Sequence, residues 1–334
     1  MLREEGIGSG AGEASAVFSR GGGVRKRAAA PACSALAMAA AYAMFVSACG
    51  GALPTNDFSS DVRPTGRFPT RDVSGPGPAP APVPPAPPVV HEVRYHGGPV
   101  LRGTVAVYFI WYGSWPATGA REILPDLVQR LSGSSYLRLQ AGFRDPANGS
   151  AASEVALRGS TADHYSQGKD LSDAGVANAV ARAIISGELP LDPDALYFVL
   201  ASADVRETSG FCSSYCGFHE HTRILGETVR FAFVGSAEGC MSACAAQSVG
   251  PNGDAAADAM ASIVAHEVSE TITDPDFDAW YDAEGSENGD KCAWTFGATH
   301  AVANGAQANV VLGGRPFLLQ QLWSNRAGGV CALE

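Results

Sequence analysis

Residues 104–113 read TVAVYFIWYG, a run of β-branched and aromatic residues between glycines. Such a run predicts a strand that is buried on both faces. Two more strands are predicted at 195–202 (ALYFVLAS) and 229–236 (VRFAFVGS), and a short strand or helix at 316–324 (PFLLQQLWS). We expect the three longer segments to pair in one sheet, because none of them could satisfy its backbone alone in a buried setting.

Helical patterns lie between and after these strands. Apolar residues recur at helical spacing in 119–131, 171–187 and 252–273. Ser172 is a plausible N-cap of the second helix, and Pro275 is expected to end the third. Strands that alternate with helices predict the α/β class (α+β in a looser sense), with one mixed sheet and helices packed on it.

The N-terminal residues 1–49 are predicted to be an extension followed by a lipoprotein-type signal. Basic residues at 25–27 precede an apolar run at 28–49, which ends in VSACGG. This ending resembles a bacterial lipobox, so Cys49 would become the lipidated first residue of the mature protein. A plain secretory signal and an uncleaved anchor of about 21 residues are the alternatives. All three predict an exported protein, held at a membrane or secreted.

Residues 50–92 are predicted to be a disordered, proline-rich tether, because 74–90 (SGPGPAPAPVPPAPPVV) favour extended polyproline II. The folded domain is then 93–334. The formal net charge of the chain is −11, without a clustered basic surface, which argues against a nucleic-acid partner. The membrane would be contacted through the lipid anchor only.

The predicted domain holds six of the eight cysteines of the chain. In an exported domain an even number of cysteines favours disulfides, although sequence alone does not select the pairing. A four-thiolate zinc site is the alternative, because two pairs have the spacing C-x₃-C. The six are Cys212, Cys216, Cys240, Cys244, Cys292 and Cys331.

A candidate metal site lies on the third predicted helix, in IVAHEVSE (263–270). His266 and Glu270 are four residues apart and therefore share one helix face. The pattern is that of the zincin helix H-E-x-x-H with its last histidine replaced by glutamate, and carboxylate is an accepted zinc ligand. Glu267 occupies the position of the general base. This motif predicts a zincin-like core with a divalent metal, zinc rather than calcium.

The site needs a third protein ligand from the acidic segment that follows. Asp276 has the offset of the long zincin motif but lacks its glycine. We favour Glu287, about 20 residues after His266. Asp290 would be an alternate ligand or would hydrogen-bond to a ligand and orient it. The other interpretation is that these residues are solvated polar groups on a helix and an acidic surface loop. Calcium is less favoured, since EF-hand spacing is absent.

Several ordered motifs make the domain resemble the EXORDIUM, or phosphate-induced, family of extracellular plant proteins and their bacterial relatives. They are VRYHGGPVLRGTVAVYFIWYGSW, GFCSSYCGFH, CMSAC, the segment from PNGD to AWYD, ENGDKC and FLLQQLWS. The resemblance covers nearly all of 93–334, and it implies a bacterial member of this family.

The resemblance also bears on the site. His266, Glu267, Glu270, Glu287, Asp290 and Cys292 fall on matching positions of the family pattern, which implies that the helix and the later E-x-x-D act together. His219 falls on its C-G-x-H position, and is expected either to pack against a disulfide or to lie near the metal, as a ligand, a transition-state stabiliser or a residue behind the ligands. Asp274 stands where the plant pattern has asparagine, and is a second candidate for a place near the site.

Two functions remain open from the sequence. One is a metal-dependent peptidase or amidase in which Glu267 activates a metal-bound water. The other is a non-catalytic cell-envelope binding or signalling module with a structural metal, which would have four protein ligands. In both cases the expected partner is a cell-envelope or extracellular peptide or polysaccharide. Paired carboxylates for glycoside hydrolysis are a further possibility, because their separation depends on the fold.

Overall fold

The computed structural model describes residues 63–71, 92–117, 119–147 and 149–334. The predicted signal with Cys49 and the proline-rich 74–90 lie outside this part of the chain, and so do both predictions made for them. Of the helices in the ranges just given, none combines the length and the apolar character that crossing a bilayer would take.

A six-stranded sheet forms the centre of the domain. Its strands are β1 (Arg67–Pro69), β2 (Thr104–Tyr112), β3 (Glu154–Asp163), β4 (Leu196–Ala201), β5 (Tyr215–Ile224) and β6 (Glu227–Gly235). They lie in the order β1-β5-β6-β4-β2-β3. Strands β2, β3, β4 and β6 are parallel to one another, whereas β5 runs antiparallel to both β6 and β1.

The three long helices are α1 (Ala120–Leu131), α2 (Asp173–Ile185) and α3 (Ala255–Thr273). They cover both faces of the sheet. Because successive residues of a strand point to opposite faces, β2 contributes to two separate cores. Val107, Phe109 and Trp111 belong to the core that contains α1 and α3, and Tyr108 belongs to the core that contains α2. The predicted mixed α/β class is confirmed.

The three long helices and three long strands that were predicted are present, with ends shifted by a few residues, whereas the predicted single element at 316–324 is divided between two short strands, Arg315–Phe317 and Leu322–Ser324. Ser172 caps α2 by accepting a hydrogen bond from the N–H of Gly175 at 3.2 Å. Strands β3 and β5 were not predicted. Strand β3 is largely half-exposed along its length, so it lacks a continuous apolar run. Strand β5 is buried over its first five residues, but it contains the polar sequence HEHTR. The strand therefore lacks the continuous apolar run by which it could have been predicted.

Short elements complete the structure, and most lie in the C-terminal third. Short helices are Ser135–Arg138, Leu139–Gly142, Ala237–Gly239, Met241–Cys244, Asp290–Cys292 and Arg326–Gly328. Two-stranded pairs are Arg94–Tyr95 with Trp280–Tyr281, Arg144–Asp145 with Gly149–Ser150, Asp170–Leu171 with Arg206–Glu207, His300–Ala301 with Gln307–Ala308, Val310–Leu312 with Arg315–Phe317, and Leu322–Ser324 with Val330–Ala332.

All six domain cysteines are in disulfides, as predicted, and the four-thiolate zinc alternative is wrong. The pairs are Cys212–Cys240, Cys216–Cys244 and Cys292–Cys331. The first two fasten the start of β5 to the segment before α3. The third ties the short helix Asp290–Cys292 to the C-terminal strand pair.

Part of the predicted tether, residues 50–92, belongs to the folded domain. Residues 67–69 form β1, which pairs with β5 at the edge of the sheet. Phe68 has no exposed surface and belongs to the main core. The sequence TGRFPTR has a single large apolar residue among polar ones, so its burial depends on a partner strand that the local pattern does not reveal.

A buried cluster of histidines and carboxylates

Helix α3 provides the platform of the candidate site, and it is buried around nearly its whole circumference. Its first turn is capped by Asp254, whose carboxylate accepts a hydrogen bond from the N–H of Ala257 at 3.0 Å. Its last residue is Thr273, as Pro275 predicted. The carboxylate of Asp274 then accepts hydrogen bonds from the N–H groups of Asp278 and Ala279 at 2.8 and 2.6 Å. Asp274 therefore shapes the turn that follows the helix.

Six ionisable side chains meet on one side of this helix. Five of them are at most 1% exposed, and the side chain of Asp290 is 14% exposed. The interpretation of these residues as a solvated face is therefore wrong. The six are His219 from β5, His266, Glu267 and Glu270 from α3, and Glu287 and Asp290 from the segment after it.

The six side chains form two groups that share Glu270. Ligating atoms of His219, Glu270 and Glu287 lie within 4.8 Å of one another, and so do those of His266, Glu270 and Asp290. In the first group His219 Nε2 is 3.5 Å from Glu287 Oε1. In the second, His266 Nε2 is 3.0 Å from Glu270 Oε1 and 3.6 Å from Asp290 Oδ1. His219 therefore lies among the candidate ligands, which is one of the positions expected for it, and Glu287 lies beside His219 rather than beside His266.

Most polar atoms of the cluster have no hydrogen-bond partner. Both ring nitrogens of His219 and of His266 are unpaired, as are both oxygens of Glu267 and of Glu287 and one oxygen each of Glu270 and Asp290. A buried polar group without a partner costs about 1–3 kcal/mol, and more if it is charged. So many in one place indicate a missing bonding partner, for which a cation is the simplest choice.

Burial and the neighbouring charged groups shift the pKa values of the side chains in the cluster. Burial lowers the pKa of His219 to about 4, so this imidazole is neutral and able to bind a metal. Burial raises the pKa of Glu267 and of Glu287 well above the usual range, and burial with Glu270 raises that of Asp290 to about 6. For Glu270 the effect of burial is outweighed by His266, which lowers the pKa. Without a cation, burial would therefore favour the protonated forms of Glu267 and Glu287, whereas Glu270 would stay ionised beside His266.

The β5–β6 hairpin brings His219 to the helix. Its two-residue turn, Leu225-Gly226, has positive φ angles of 52° and 94°, as type I′ turns require. Gly226, directly before the predicted strand 229–236, is the signal that could have indicated a hairpin and hence β5. Near the site, a Cβ on Gly217 would lie 2.6 Å from Ile263 and 2.9 Å from Glu267. The absence of a side chain there lets α3 approach the strand.

The segment 286–292 closes the other side of the cluster. The N–H of Asp290 donates to Glu270 Oε1 at 2.9 Å, and the amide of Asn288 donates to Gln140 Oε1 at 2.5 Å. Phe68 of β1 covers His266, with ring centroids 4.5 Å apart in an edge-on arrangement. Asn288, Gln140 and Phe68 were not predicted as site residues: Phe68 and Gln140 come from distant parts of the sequence, and Asn288 lies between two predicted ligands but bonds to Gln140.

Asp276, the other candidate for a third ligand, does not join the cluster. Its two carboxylate oxygens accept hydrogen bonds from Arg230 at 2.8 and 2.7 Å. This bidentate pair satisfies the charge of Asp276 and fixes the loop after α3 to β6.

Comparisons with known proteins identify relatives of the whole domain. The model of the phosphate-induced protein 1 conserved region matches residues 93–332. EXORDIUM-like 3 and EXORDIUM-like 5 of Arabidopsis thaliana are 30% and 29% identical to the chain, covering 70% and 71% of it and 81% and 76% of their own lengths. PHOSPHATE-INDUCED 1 of Nicotiana tabacum is 28% identical over 58% of the chain and 68% of its own length. No solved structure matches.

Proposed function

The chain belongs to the phosphate-induced protein 1, or EXORDIUM, family, and from that premise we propose that it is an exported, non-catalytic cell-envelope module built around a buried divalent-metal centre. The observation that carries this proposal is the burial of six ionisable side chains whose ligating atoms lack other partners. Without a metal, the burial of these ionisable groups would cost a large amount of free energy.

Zinc fits the donor set better than calcium does. Two of the donors are imidazoles, and zinc accepts nitrogen and carboxylate ligands in a tetrahedral arrangement. Calcium takes 6–8 oxygen ligands and has little use for histidine. His266, Glu270, Glu287 and Asp290, all named from the sequence, remain candidate ligands in this proposal, and His219 is the fifth; a tetrahedral zinc would take its ligands from among these five.

A closed centre supports a structural role for the metal. A catalytic zinc keeps one position open to water and substrate, whereas a structural one is surrounded by protein ligands. The side chains of His219, His266, Glu267, Glu270 and Glu287 have no exposed surface. In this proposal the metal holds β5, α3 and the 286–292 segment together.

A different part of the surface is then available for an envelope ligand. A polar cavity of about 400 Å³ lies where the parallel strands β2, β4 and β6 end, which is where open α/β sheets usually bind ligands. Ser114, Ser202, Asp204 and Glu238 contribute hydroxyl and carboxylate groups, beside the indole of Trp115. Hydrogen-bonding groups next to an aromatic ring suit the hydroxyls and the apolar face of a sugar. We therefore assign a polysaccharide to this cavity, with a peptide as the second choice.

A peptidase or amidase is the second candidate, favoured by one observation. Both oxygens of Glu267 are unpaired, and Oε2 is 3.4 Å from His219 Nδ1. A carboxylate in that position beside a bound metal would serve as general base if the cover over the site opened.

Metal analysis with a peptide-library assay separates these proposals. We expect the purified wild type and Glu267→Gln to retain zinc after dialysis, His266→Ala to retain less zinc than the wild type, and no library peptide to be cleaved. Cleavage by the wild type that Glu267→Gln abolishes would favour the peptidase. Absence of stoichiometric metal from the wild type would refute the metal centre itself.

Ligand binding and export need their own tests. Glu238→Ala should weaken retention on an envelope polysaccharide at least several-fold, whereas Glu227→Ala, an exposed acid elsewhere, should not. Equal retention by both variants would count against the cavity.

The lipobox is tested by expression in a bacterial host, where Cys49→Ser should move the protein from the membrane to the soluble exported fraction. Continued membrane partitioning would contradict lipidation.

A further inference from the structure

The buried cluster contains two sets of ligands, and Glu270 belongs to both. We infer that the centre binds a pair of divalent cations bridged by the carboxylate of Glu270. One ion would lie among His219, Glu270 and Glu287, and the other among His266, Glu270 and Asp290. This inference rests on the metal centre proposed above and extends it from one ion to two.

The orientation of Glu270 supports a bridge. Its Oε1 lies 3.0 Å from His266 Nε2, whereas its Oε2 lies 3.6 Å from His219 Nδ1. The two oxygens of one carboxylate therefore face different histidines. Oε1 also accepts the N–H of Asp290 at 2.9 Å, which holds the carboxylate in this orientation, and Oε2 has no hydrogen bond. Carboxylates in this arrangement bridge metal pairs that are about 3.5–4 Å apart.

The separations between the ligand atoms suit ions better than hydrogen bonds. Two ligand atoms that each lie about 2.1 Å from a tetrahedral ion are about 3.4 Å from each other. The histidine-to-carboxylate distances across the two sets are 3.0 to 3.6 Å, but none of these contacts aligns as a hydrogen bond. An imidazole binds one ion through one nitrogen, so only one of the two His219 contacts, Nδ1 with Glu270 or Nε2 with Glu287, would be a distance between ligand atoms of the first ion.

The charge of the cluster also calls for two ions. Glu267, Glu270, Glu287 and Asp290 would carry four negative charges when ionised, and the cluster includes no lysine or arginine. Two divalent cations neutralise four carboxylates. With a single ion, two of the carboxyl groups would be either charged in a region of low dielectric, which is strongly unfavourable, or protonated and no longer metal ligands. Glu267 Oε2, 3.4 Å from His219 Nδ1, is placed to complete the surroundings of the first ion.

The number of ions per chain tests the inference directly. The exported full-length protein is stripped with a chelator, reloaded with zinc, desalted, and measured by elemental analysis against protein concentration. We expect two zinc ions per wild-type chain, one for Glu287→Gln, one for Asp290→Asn and none for Glu270→Gln. Glu227→Gln, which removes an exposed carboxylate beside the turn of the β5–β6 hairpin and outside the cluster, should retain two.

Each outcome has a distinct meaning. One ion per wild-type chain would overturn the bridged pair and leave the single-metal centre standing. No ion would overturn both. If a variant does not fold, the wild-type count still decides, and titration with cobalt gives an independent measure. Saturation of the cobalt absorption at two equivalents supports the pair, and saturation at one contradicts it.

Discussion

Gly217 and Gly289 set how closely the elements around the cluster approach each other. A Cβ on Gly289 would lie 2.7 Å from the ring of His266 and 2.8 Å from Glu270 Oε1. The backbone φ of Gly289 is −79°, which any residue can adopt. The requirement at this position is therefore for space alone, and it arises because the 286–292 segment must reach α3.

We expect Gly289→Ala to displace His266 or Glu270 and to weaken metal binding at least tenfold. Overpacking of this kind typically costs 1–3 kcal/mol, so we expect the free energy of unfolding to fall by about 2 kcal/mol. Competition with a zinc chelator and denaturant unfolding measure the two effects. Gly142→Ala is the matched control, because a Cβ at Gly142 meets nothing within 4 Å. Equal zinc affinity in the two variants would contradict the proposed geometry.

At the scale of elements, β1 acts as a cover over the cluster. Phe68 contacts His266, and its ring centroid lies 5.1 Å from that of Trp294. Further along the same segment, the N–H of Arg71 donates to the carbonyl of Ala243 at 2.8 Å, which continues the attachment beyond the strand. The segment 67–71 is therefore part of the cover over the buried cluster.

Removing this cover should open the site. We expect Phe68→Ala to lower the free energy of unfolding by about 3–5 kcal/mol, the usual cost of emptying a buried aromatic site. The rate of zinc release to a chelator should rise at least tenfold, because water then reaches His266. Thr70→Ala on the same segment should change neither quantity appreciably. An unchanged release rate in Phe68→Ala would mean that β1 does not seal the centre.

At the scale of the whole molecule, the centre joins parts of the chain that are far apart in sequence. Strand β5, helix α3 and the 286–292 segment all contribute to it, and the Cys292–Cys331 disulfide ties the last of these to the C-terminal strand pair. An ion bound here stabilises the folded state only, since the unfolded chain has no preformed site.

Chelation should therefore lower the stability of the entire domain. At metal concentrations about 1,000 times the dissociation constant, binding contributes about 4 kcal/mol, and we expect a clear fall in the unfolding midpoint when zinc is removed. Calorimetry before and after chelator treatment measures it, and re-addition of zinc should restore the midpoint whereas magnesium should not. A midpoint that is the same in both states would show that the metal does not support the fold.

The sequence alone was sufficient for the strands and helices with strong local patterns. TVAVYFIWYG and the apolar stripe of α3 predict their own burial, and His266 and Glu270 share a face because they are one helical turn apart. The exported context and the even number of cysteines predicted disulfides. These features depend on neighbouring residues in the chain, so they are visible without the fold.

Only the tertiary structure decided which distant residues complete the site. It paired Glu287 with His219 and Asp290 with His266, and it brought Phe68 from the predicted tether onto the cluster. It also assigned the three disulfides and gave Asp276 to Arg230. The physical reason is that β5, β1 and the 286–292 segment are held by contacts with remote elements, and a contact between remote elements leaves no periodic signal in either sequence.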